Sequence, residues 1–409
     1  MIINKAFALY VHLPFCLSKC KYCDFYSVVS SSIPKKEYFD ALEKEASFQS
    51  KQDTWKDRSI QSIYFGGGTP SLIEPSFYKK FLDVLKDNFN LEKDIEITLE
   101  ANPKTLSKES LLGYLSLNVN RISLGVQSFN DKILKFLGRT HTAKDAVESV
   151  NTIKEAGFKN INLDLIYGVP FETLVDVQNN LKEIIKLDVP HISFYSLIIE
   201  PKTAFGKMKE KKEIFECDDE TFLKMDKEIC DVLENDNFCR YEISGYAKNK
   251  SMCKHNLAYW NSDDFLGLGA NAYSGFTKYE KDKCRKDKCR KDECKKDKVA
   301  GSVRCANLRS FSKYIDFVKN NNFKELVSFY EENDLKTTKF EYIMMGLRKV
   351  DTGISFKDFF EKFGVDFKET YQKVLLNLEK ENLIDISSNG IKIKKDKILI
   401  SNSIIEEFL

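Results

Sequence analysis

The sequence predicts an α/β protein: a partial (β/α)6 TIM-like barrel followed by a smaller C-terminal domain of helical, winged-helix-like character. Three observations carry that expectation. Through the first half, short apolar runs rich in β-branched and aromatic residues alternate with longer stretches whose apolar residues recur at helical period, which is the pattern of βα units on a parallel sheet. The alternation occurs six times, short of a closed eight-stranded barrel, so one side is expected to stay open to a large ligand. After about residue 245 the pattern changes, and from about Phe311 it reads as short helices and then a hairpin.

Taken in order, the predicted strands are Ala8–His12, Ser62–Phe65, Ile95–Leu99, Arg121–Val126, Asn160–Ile166 and His191–Leu197. The amphipathic stretches between them include Lys35–Gln49, Ser76–Asn88, Thr142–Ala156 and Leu174–Lys186. In such folds the loops at the carboxyl ends of the strands hold the active site. The unusual motifs of the first half fall at those ends.

The later chain divides less cleanly. We expect a barrel domain over 1–245, a connecting region over 246–310 and a C-terminal domain over 311–409. Within the connecting region, 278–300 is a near-repeat of five residues (Asp282-Lys283-Cys284-Arg285-Lys286 and its two successors) with almost no apolar surface to bury. It reads as a solvated loop; Cys284, Cys289 and Cys294 could catch a metal, but their spacing fits no common ligand pattern. Beyond Phe311, short helices are expected over Thr338–Arg348, Phe356–Phe363 and Tyr371–Glu381. Ile391–Ile393 and Ile398–Ile400 read as a two-stranded wing whose lysines form a solvated edge rather than a DNA contact.

Composition narrows the function classes. A chain of 409 residues can bury a full core in two or three domains. A formal net charge of +2 supplies no field that favours nucleic acid or an anionic membrane as the main partner. No run is long and uncharged enough to span a bilayer, and the start carries no long apolar leader. Eleven irregularly spaced cysteines then point to reduced or cluster-bound thiols, and the expected location is cytoplasmic.

Chemistry concentrates at few positions. Cys16, Cys20 and Cys23 share one short loop after the first strand. Three thiolates can wrap three corners of a cubane iron–sulfur cluster and leave one iron open to a small molecule. Zinc and ordinary reduced cysteines are the alternatives, although zinc usually takes a fourth N or S ligand from a second pair, and no second Cys-x2-Cys pair is present. Gly66-Gly67-Gly68-Thr69-Pro70 removes every Cβ from a turn, so backbone can approach a ligand closely; a phosphate loop would carry Lys-Ser or Lys-Thr instead. Glu100 and Gln127 end the third and fourth strands, Arg139 offers a fork suited to a carboxylate, and Asp164 is a lone acid in a buried strand that needs a partner. His255-Asn256-Leu257-Ala258-Tyr259-Trp260 gathers one of four histidines and one of two tryptophans beside Cys253. It fits either a packed core histidine or an axial ligand for heme iron flanked by aromatic rings.

As an ordered set, Cys16-x3-Cys20-x2-Cys23, Gly66–Pro70, Leu99–Pro103, Gly125–Phe129 and Asp164–Pro170 resemble the radical S-adenosylmethionine superfamily. Within it they resemble the branch that holds oxygen-independent coproporphyrinogen III oxidases and heme chaperones, over essentially the whole chain apart from 278–300. The resemblance implies a [4Fe–4S] cluster on Cys16, Cys20 and Cys23, with S-adenosylmethionine chelating the fourth iron. It implies S-adenosylmethionine contacts at Tyr10, Tyr22, Gly67, Gly68, Thr69, Glu100, Gln127, Arg139 and Asp164. Electron transfer from the reduced cluster could then cleave the sulfonium to a 5′-deoxyadenosyl radical. Two departures favour the chaperone side: Phe25 stands where the oxidase pattern has a fourth cysteine, and Tyr10 leaves no room for the oxidase's extended amino-terminal segment. The chaperone branch is similar in its His-Asn-x-x-Tyr-Trp signature, which implies heme contact by His255, Asn256, Tyr259 and Trp260. The implied partners are heme and a heme-acceptor protein, such as a respiratory heme protein at the membrane. The rival is radical decarboxylation of coproporphyrinogen III.

Overall fold

The computed structural model of the chain describes residues 6–29, 34–280 and 298–409. One twelve-stranded sheet organises most of it. In chain order its strands are β1 (Phe7–Leu13), β2 (Ser59–Gly67), β3 (Asn90–Ala101), β4 (Arg121–Gln127), β5 (Asn160–Tyr167), β6 (His191–Ser196), β7 (Cys239–Arg240), β8 (Gly245–Ala247), β9 (Phe265–Leu268), β10 (Tyr273–Glu280), β11 (Lys298–Asn307) and β12 (Val327–Asn333). Across the sheet they lie in the order β12-β11-β10-β9-β1-β2-β3-β4-β5-β6-β8-β7. From β1 to β6 every neighbouring pair is parallel, and the six predicted strands fall inside these elements except for Leu197, one residue beyond β6. The partial α/β barrel is therefore present. Among the described residues the terminal strands β12 and β7 pair on one side only, so the barrel stays open.

The crossovers are helical: α1 (Lys35–Gln49), α2 (Pro75–Asn88), α3 (Lys108–Ser116), α4 (Asp131–Leu137), α5 (Ala143–Glu155), α6 (Leu174–Leu187), α7 (Ala204–Glu210) and α8 (Asp219–Asn235). Thr142 and Thr173 start α5 and α6 through reciprocal caps with Asp145 and Asp176, which satisfy backbone donors that the first turn leaves unpaired. The strands are buried on both faces, as parallel sheets covered by helices require. That is why they read as continuous apolar runs.

The chain beyond 245 departs from expectation in four places. The sheet does not stop there: β9 joins β1 in parallel, and β10, β11 and β12 extend it in antiparallel fashion. Lys278–Glu280 and Lys298–Ala300, the two ends of the expected loop, are strand residues in which Glu280 faces Lys298 across the ladder. Cys284, Cys289 and Cys294 lie outside the described residues. The helix Phe311–Lys319 also belongs to the first core, where Phe311 stacks on Tyr38 with ring centroids 5.2 Å apart. A second core gathers around Ile343, Phe359, Phe367, Leu378 and Ile391.

Its wing has a different partner from the one predicted. Gly390–Ile393 pairs with Ile384–Ile386 and Ile354–Ser355, whereas Lys395–Ile400 forms a 3-10 turn that buries Ile398. Ser388-Asn389 is the two-residue turn of this hairpin, closed by the Ser387 amide donating to Gly390 O at 2.9 Å. A Cβ on Gly390 would stand 2.1 Å from the Ile354 carbonyl oxygen, so only glycine lets the third strand approach.

Candidate functional site

The cysteine loop leaves β1 at Pro14 and is held at several points. Phe15–Cys16 pairs with Val28–Val29 as a short parallel ladder. Lys19 Nζ donates to the Phe25 carbonyl and to Ser27 Oγ across the loop. The Lys21 amide donates to Leu137 O at 3.0 Å, and its carbonyl accepts from the Phe205 amide at 3.0 Å, which ties the loop to α4 and α7. Cys16, Cys20 and Cys23 are free thiols, each partly exposed. Among the described residues no three His, Cys, Asp or Glu side chains converge as one bare metal ion would require.

All three open into a cavity of about 390 Å³ at the carboxyl edge of the strands. Tyr22, Gly67, Gly68, Thr69, Glu100, Gln127, Arg139 and Asp164 also line it, so the structure brings eight of the nine remaining predicted cofactor residues together. Tyr10 stands one layer back. Its hydroxyl pairs with His12 Nδ1 at 3.0 Å and its ring stacks on Tyr64.

The glycine turn earns its place by close approach. The Gly68 amide donates to Leu13 O at 2.8 Å and the Thr69 amide to Phe15 O at 2.7 Å, which clamps the turn against the cysteine strand. A Cβ on Gly68 would lie 2.5 Å from Phe15 O and 2.7 Å from Phe15 N, both backbone atoms with no freedom to retreat. Gly68→Ala is expected to destabilise the fold by about 1–3 kcal/mol and to shift the cysteine loop; denaturant unfolding and iron content after reconstitution read the two effects.

Charge in the cavity is arranged by the strand ends. Glu100 accepts from Tyr64 OH at 3.0 Å and from the Gly67 amide at 3.1 Å. Burial, and then Asp164 close by, push its carboxyl up to about 7. Asp164 accepts from Ser123 Oγ and from Asn162 Nδ2, both at 2.8 Å, and burial raises it too. Gln127 ends β4 with φ +67°, a left-handed conformation that side chains seldom adopt, and the β4–β5 register shifts there. Arg139 directs Nη2 at Asn102 Oδ1 and at Gly125 O (2.8 Å), and Nη1 at Cys20 Sγ (3.5 Å).

The His255 group lies elsewhere. It sits on the short helix α9 (Lys254–Trp260), packed against β2 and β1 beneath the cavity. His255 is buried, with Nδ1 at 3.0 Å from Ser62 Oγ and Nε2 at 3.0 Å from Tyr259 OH. Burial, and then Arg121, press its ring down to about 3, so the imidazole is neutral. The Arg348 guanidinium lies over the Trp260 ring at 5.9 Å. Asn256 is only partly buried. As it stands, His255 has the geometry of the packed core histidine.

Sequence reasoning gave no role to Asn102, Tyr64, Ser123 or Tyr195, which line the same cavity. Asn102 and Ser123 were legible as residues near strand ends. Tyr64 and Tyr195 alternate with core residues and carried no signal apart from period.

A family model described as the Radical SAM superfamily matches residues 10–184, and one described as the HemN C-terminal domain matches residues 334–396. A "Heme chaperone HemW" of Buchnera aphidicola is 35% identical over 409 residues, covering 98% of both chains. Another of Bacillus subtilis is 32% identical over 404 residues, again 98% of both. The Escherichia coli protein of that name is 35% identical over 282 residues, 68% of this chain and 72% of its own. The structure of coproporphyrinogen III oxidase (HemN) from Escherichia coli superposes with a TM-score of 0.76 at 21% identity, covering 99% of this chain and 90% of that one, which establishes the shared fold. A radical SAM domain implies a [4Fe–4S] cluster and S-adenosylmethionine. The donor set fits them: three thiols face one cavity that also offers two carboxylates and a guanidinium. Matched end to end by its relatives, the chain belongs to the HemW family of the radical SAM superfamily.

Proposed function

We propose that this protein is a heme chaperone that holds a [4Fe–4S] cluster with S-adenosylmethionine in the barrel cavity and passes heme to an acceptor protein. The observation that carries the reading is Phe25. It lines the cavity mouth, 69% exposed, where the oxidase pattern places a fourth cysteine, in a chain matched end to end by HemW relatives. Cys16, Cys20 and Cys23 hold the cluster. The amino group of the nucleotide's methionine meets Glu100 and the Gly67–Thr69 turn, its carboxylate meets Arg139, and its ribose meets Asp164 and Gln127, with Tyr22 closing the wall. When bound, the cluster supplies one-electron reduction at the sulfonium. The protein's part is to orient the nucleotide and to exclude water from the open iron. The location is cytoplasmic, and among the described residues no helix is long and apolar enough to cross a membrane. The acceptor is then a heme protein reached from the cytoplasm, such as a respiratory protein at the membrane.

His255, Asn256, Tyr259 and Trp260 form the heme-binding group. A neutral imidazole is the form that ligates iron, but Nε2 is occupied by Tyr259 OH at 3.0 Å, so heme ligation requires that contact to open. Tyr259→Phe removes the competitor and is expected to speed heme uptake, whereas His255→Ala abolishes the Soret shift on titration with heme. Unchanged heme binding in His255→Ala would remove that residue from the site.

Glu100 sets a pH dependence for the nucleotide. With its folded value raised to about 7, it is protonated in mildly acid solution and must release that proton to face an ammonium group. Affinity for S-adenosylmethionine is expected to rise from about pH 6 to pH 8 and then level off, and Glu100→Gln is expected to flatten the curve. Isothermal titration in two buffers of different ionisation enthalpy reads the released proton directly.

The experiment that tests the whole reading is an anaerobic assay of reconstituted, reduced protein with S-adenosylmethionine and coproporphyrinogen III. The chaperone predicts no decarboxylation together with heme transfer to an apo-acceptor. Porphyrinogen turnover would replace this reading with the oxidase.

A further inference from the structure

We propose that Asn102 is a positioning residue for the cluster, the middle link of a hydrogen-bonded belt that joins the Cys16 and Cys20 thiolates around the cavity wall. The proposal rests on the reading that these cysteines hold a [4Fe–4S] cluster; it is independent of heme.

The belt can be followed atom by atom. Arg139 Nη1 donates to Cys20 Sγ at 3.5 Å, and Nη2 of the same guanidinium donates to Asn102 Oδ1. Asn102 Nδ2 then donates to Thr69 Oγ1 at 2.9 Å, and Thr69 Oγ1 donates to Cys16 Sγ at 3.8 Å. Every link points the same way, from the cation towards a sulfur. A carboxamide suits the middle position, because Oδ1 accepts from arginine while Nδ2 donates to a hydroxyl. Having accepted from Asn102, the threonine hydroxyl has its proton free for sulfur, and donors aligned in series polarise one another.

Three features hold the belt in register. The Asn102 backbone is fixed after β3 by Thr105, whose Oγ1 donates to Asn102 O at 2.6 Å. The guanidinium is anchored on Gly125 O at 2.8 Å. Gly125 itself makes room, since a Cβ there would stand 2.9 Å from Asn102 Oδ1. Arg139 Nε is enclosed and, among the described residues, has no hydrogen-bond partner, while the two Nη groups serve the belt.

Hydrogen bonds to cluster sulfurs draw charge from the thiolates and stabilise the reduced, more negative cluster, so they raise its potential; partners behind metal ligands also slow metal loss. Asn102→Ala cuts the belt at its centre without touching a cysteine. The full-length chain is reconstituted anaerobically with iron and sulfide, and the cluster potential is followed by an EPR-monitored redox titration, with iron release to a chelator timed in parallel. Asn102→Ala is expected to lower the potential and to speed iron release about tenfold. A tenfold weaker hold on the reduced relative to the oxidised form corresponds to about 59 mV for one electron.

Asn102→Asp, nearly isosteric, accepts from Arg139 but cannot donate to Thr69 and adds negative charge, so it is expected to lower the potential further. Thr69→Val should shift it in the same direction, and Thr69→Ser should restore it. A merely structural Asn102 would reduce the fraction of protein that loads while leaving the loaded fraction at the wild-type potential, and that result overturns the proposal, as does a wild-type potential in Asn102→Asp. A wild-type chain that takes up no iron and sulfide would overturn the cluster reading itself, a separate failure.

Discussion

Replacing Cys20 with alanine is expected to leave anaerobically reconstituted protein without a stable iron–sulfur cluster. The loop offers three thiols and, among the described residues, the cavity no fourth, so a two-thiol remnant would have to hold a cubane with half its corners exposed. Outer-shell changes already cost about 10–100-fold in metal affinity, and loss of a direct ligand should exceed that range. Iron and sulfide analysis, with the visible absorbance of the cluster, gives the readout. Cys16→Ala and Cys23→Ala should behave alike. Cys217→Ala, on the loop before α8 and outside the cavity, should load normally. Equal iron content in Cys20→Ala and wild type would end the cluster assignment.

The second large effect is expected at Arg121, on stability. This side chain is fully buried inside the barrel at 1% exposure. Burial works against its charge, but Cys253 and Glu96 beside it, with Tyr64 and Tyr241, keep it protonated. Glu96 in turn accepts from Cys253 Sγ at 3.5 Å and from the His255 amide at 3.2 Å, so the cation's field, without a direct ion pair, acts on the carboxylate that seats α9. Arg121→Met removes the only formal positive charge among these groups and strands Glu96 in a low-dielectric interior. Leaving a buried acid without the charge that compensates it costs about 1–3 kcal/mol. Denaturant unfolding should show that loss, and Arg121→Met with Glu96→Gln should recover part of it, because the second change removes the stranded charge. A single variant as stable as wild type would show that this buried charge carries no such weight.

The same interior connects the two candidate sites. From Asp164 in the cavity, hydrogen bonds pass through Asn162 to His191 Nδ1 (2.6 Å), and His191 Nε2 meets Tyr241 OH at 2.9 Å. Tyr241 OH accepts from the Cys253 amide at 3.3 Å, two residues before His255. Parallel barrels fill their interior with inward-facing side chains from alternate strand positions, and here many of those positions are polar. Such a core is stable only because its donors and acceptors find one another.

Much of this was legible in the amino-acid sequence because it is local. The six barrel strands follow from apolar runs of strand length, and the helices between them from 3.6-residue period. The cysteine triad, the glycine turn and the acids at strand ends are spacings within a few residues, and parallel topology then carries them to one edge of one sheet. Two local signals were misjudged. The Ser388-Asn389 turn, not the lysine-rich stretch, makes the wing, and Phe311, read with the last segment, stacks its ring on Tyr38.

By itself, then, the sequence determined the fold class, the spacing of the cysteine loop and some of the residues that line the cavity, since period and spacing are properties of neighbours along the chain. Only the tertiary structure decided which polar groups are spent on one another. That His255 answers to Ser62 across 193 residues, that Arg121 is sealed beside Glu96, and that Arg139, Asn102 and Thr69 form one belt all depend on side chains from separate strands meeting in space. A buried donor or acceptor takes whichever partner the packing brings within about 3 Å, and sequence distance has no bearing on that choice.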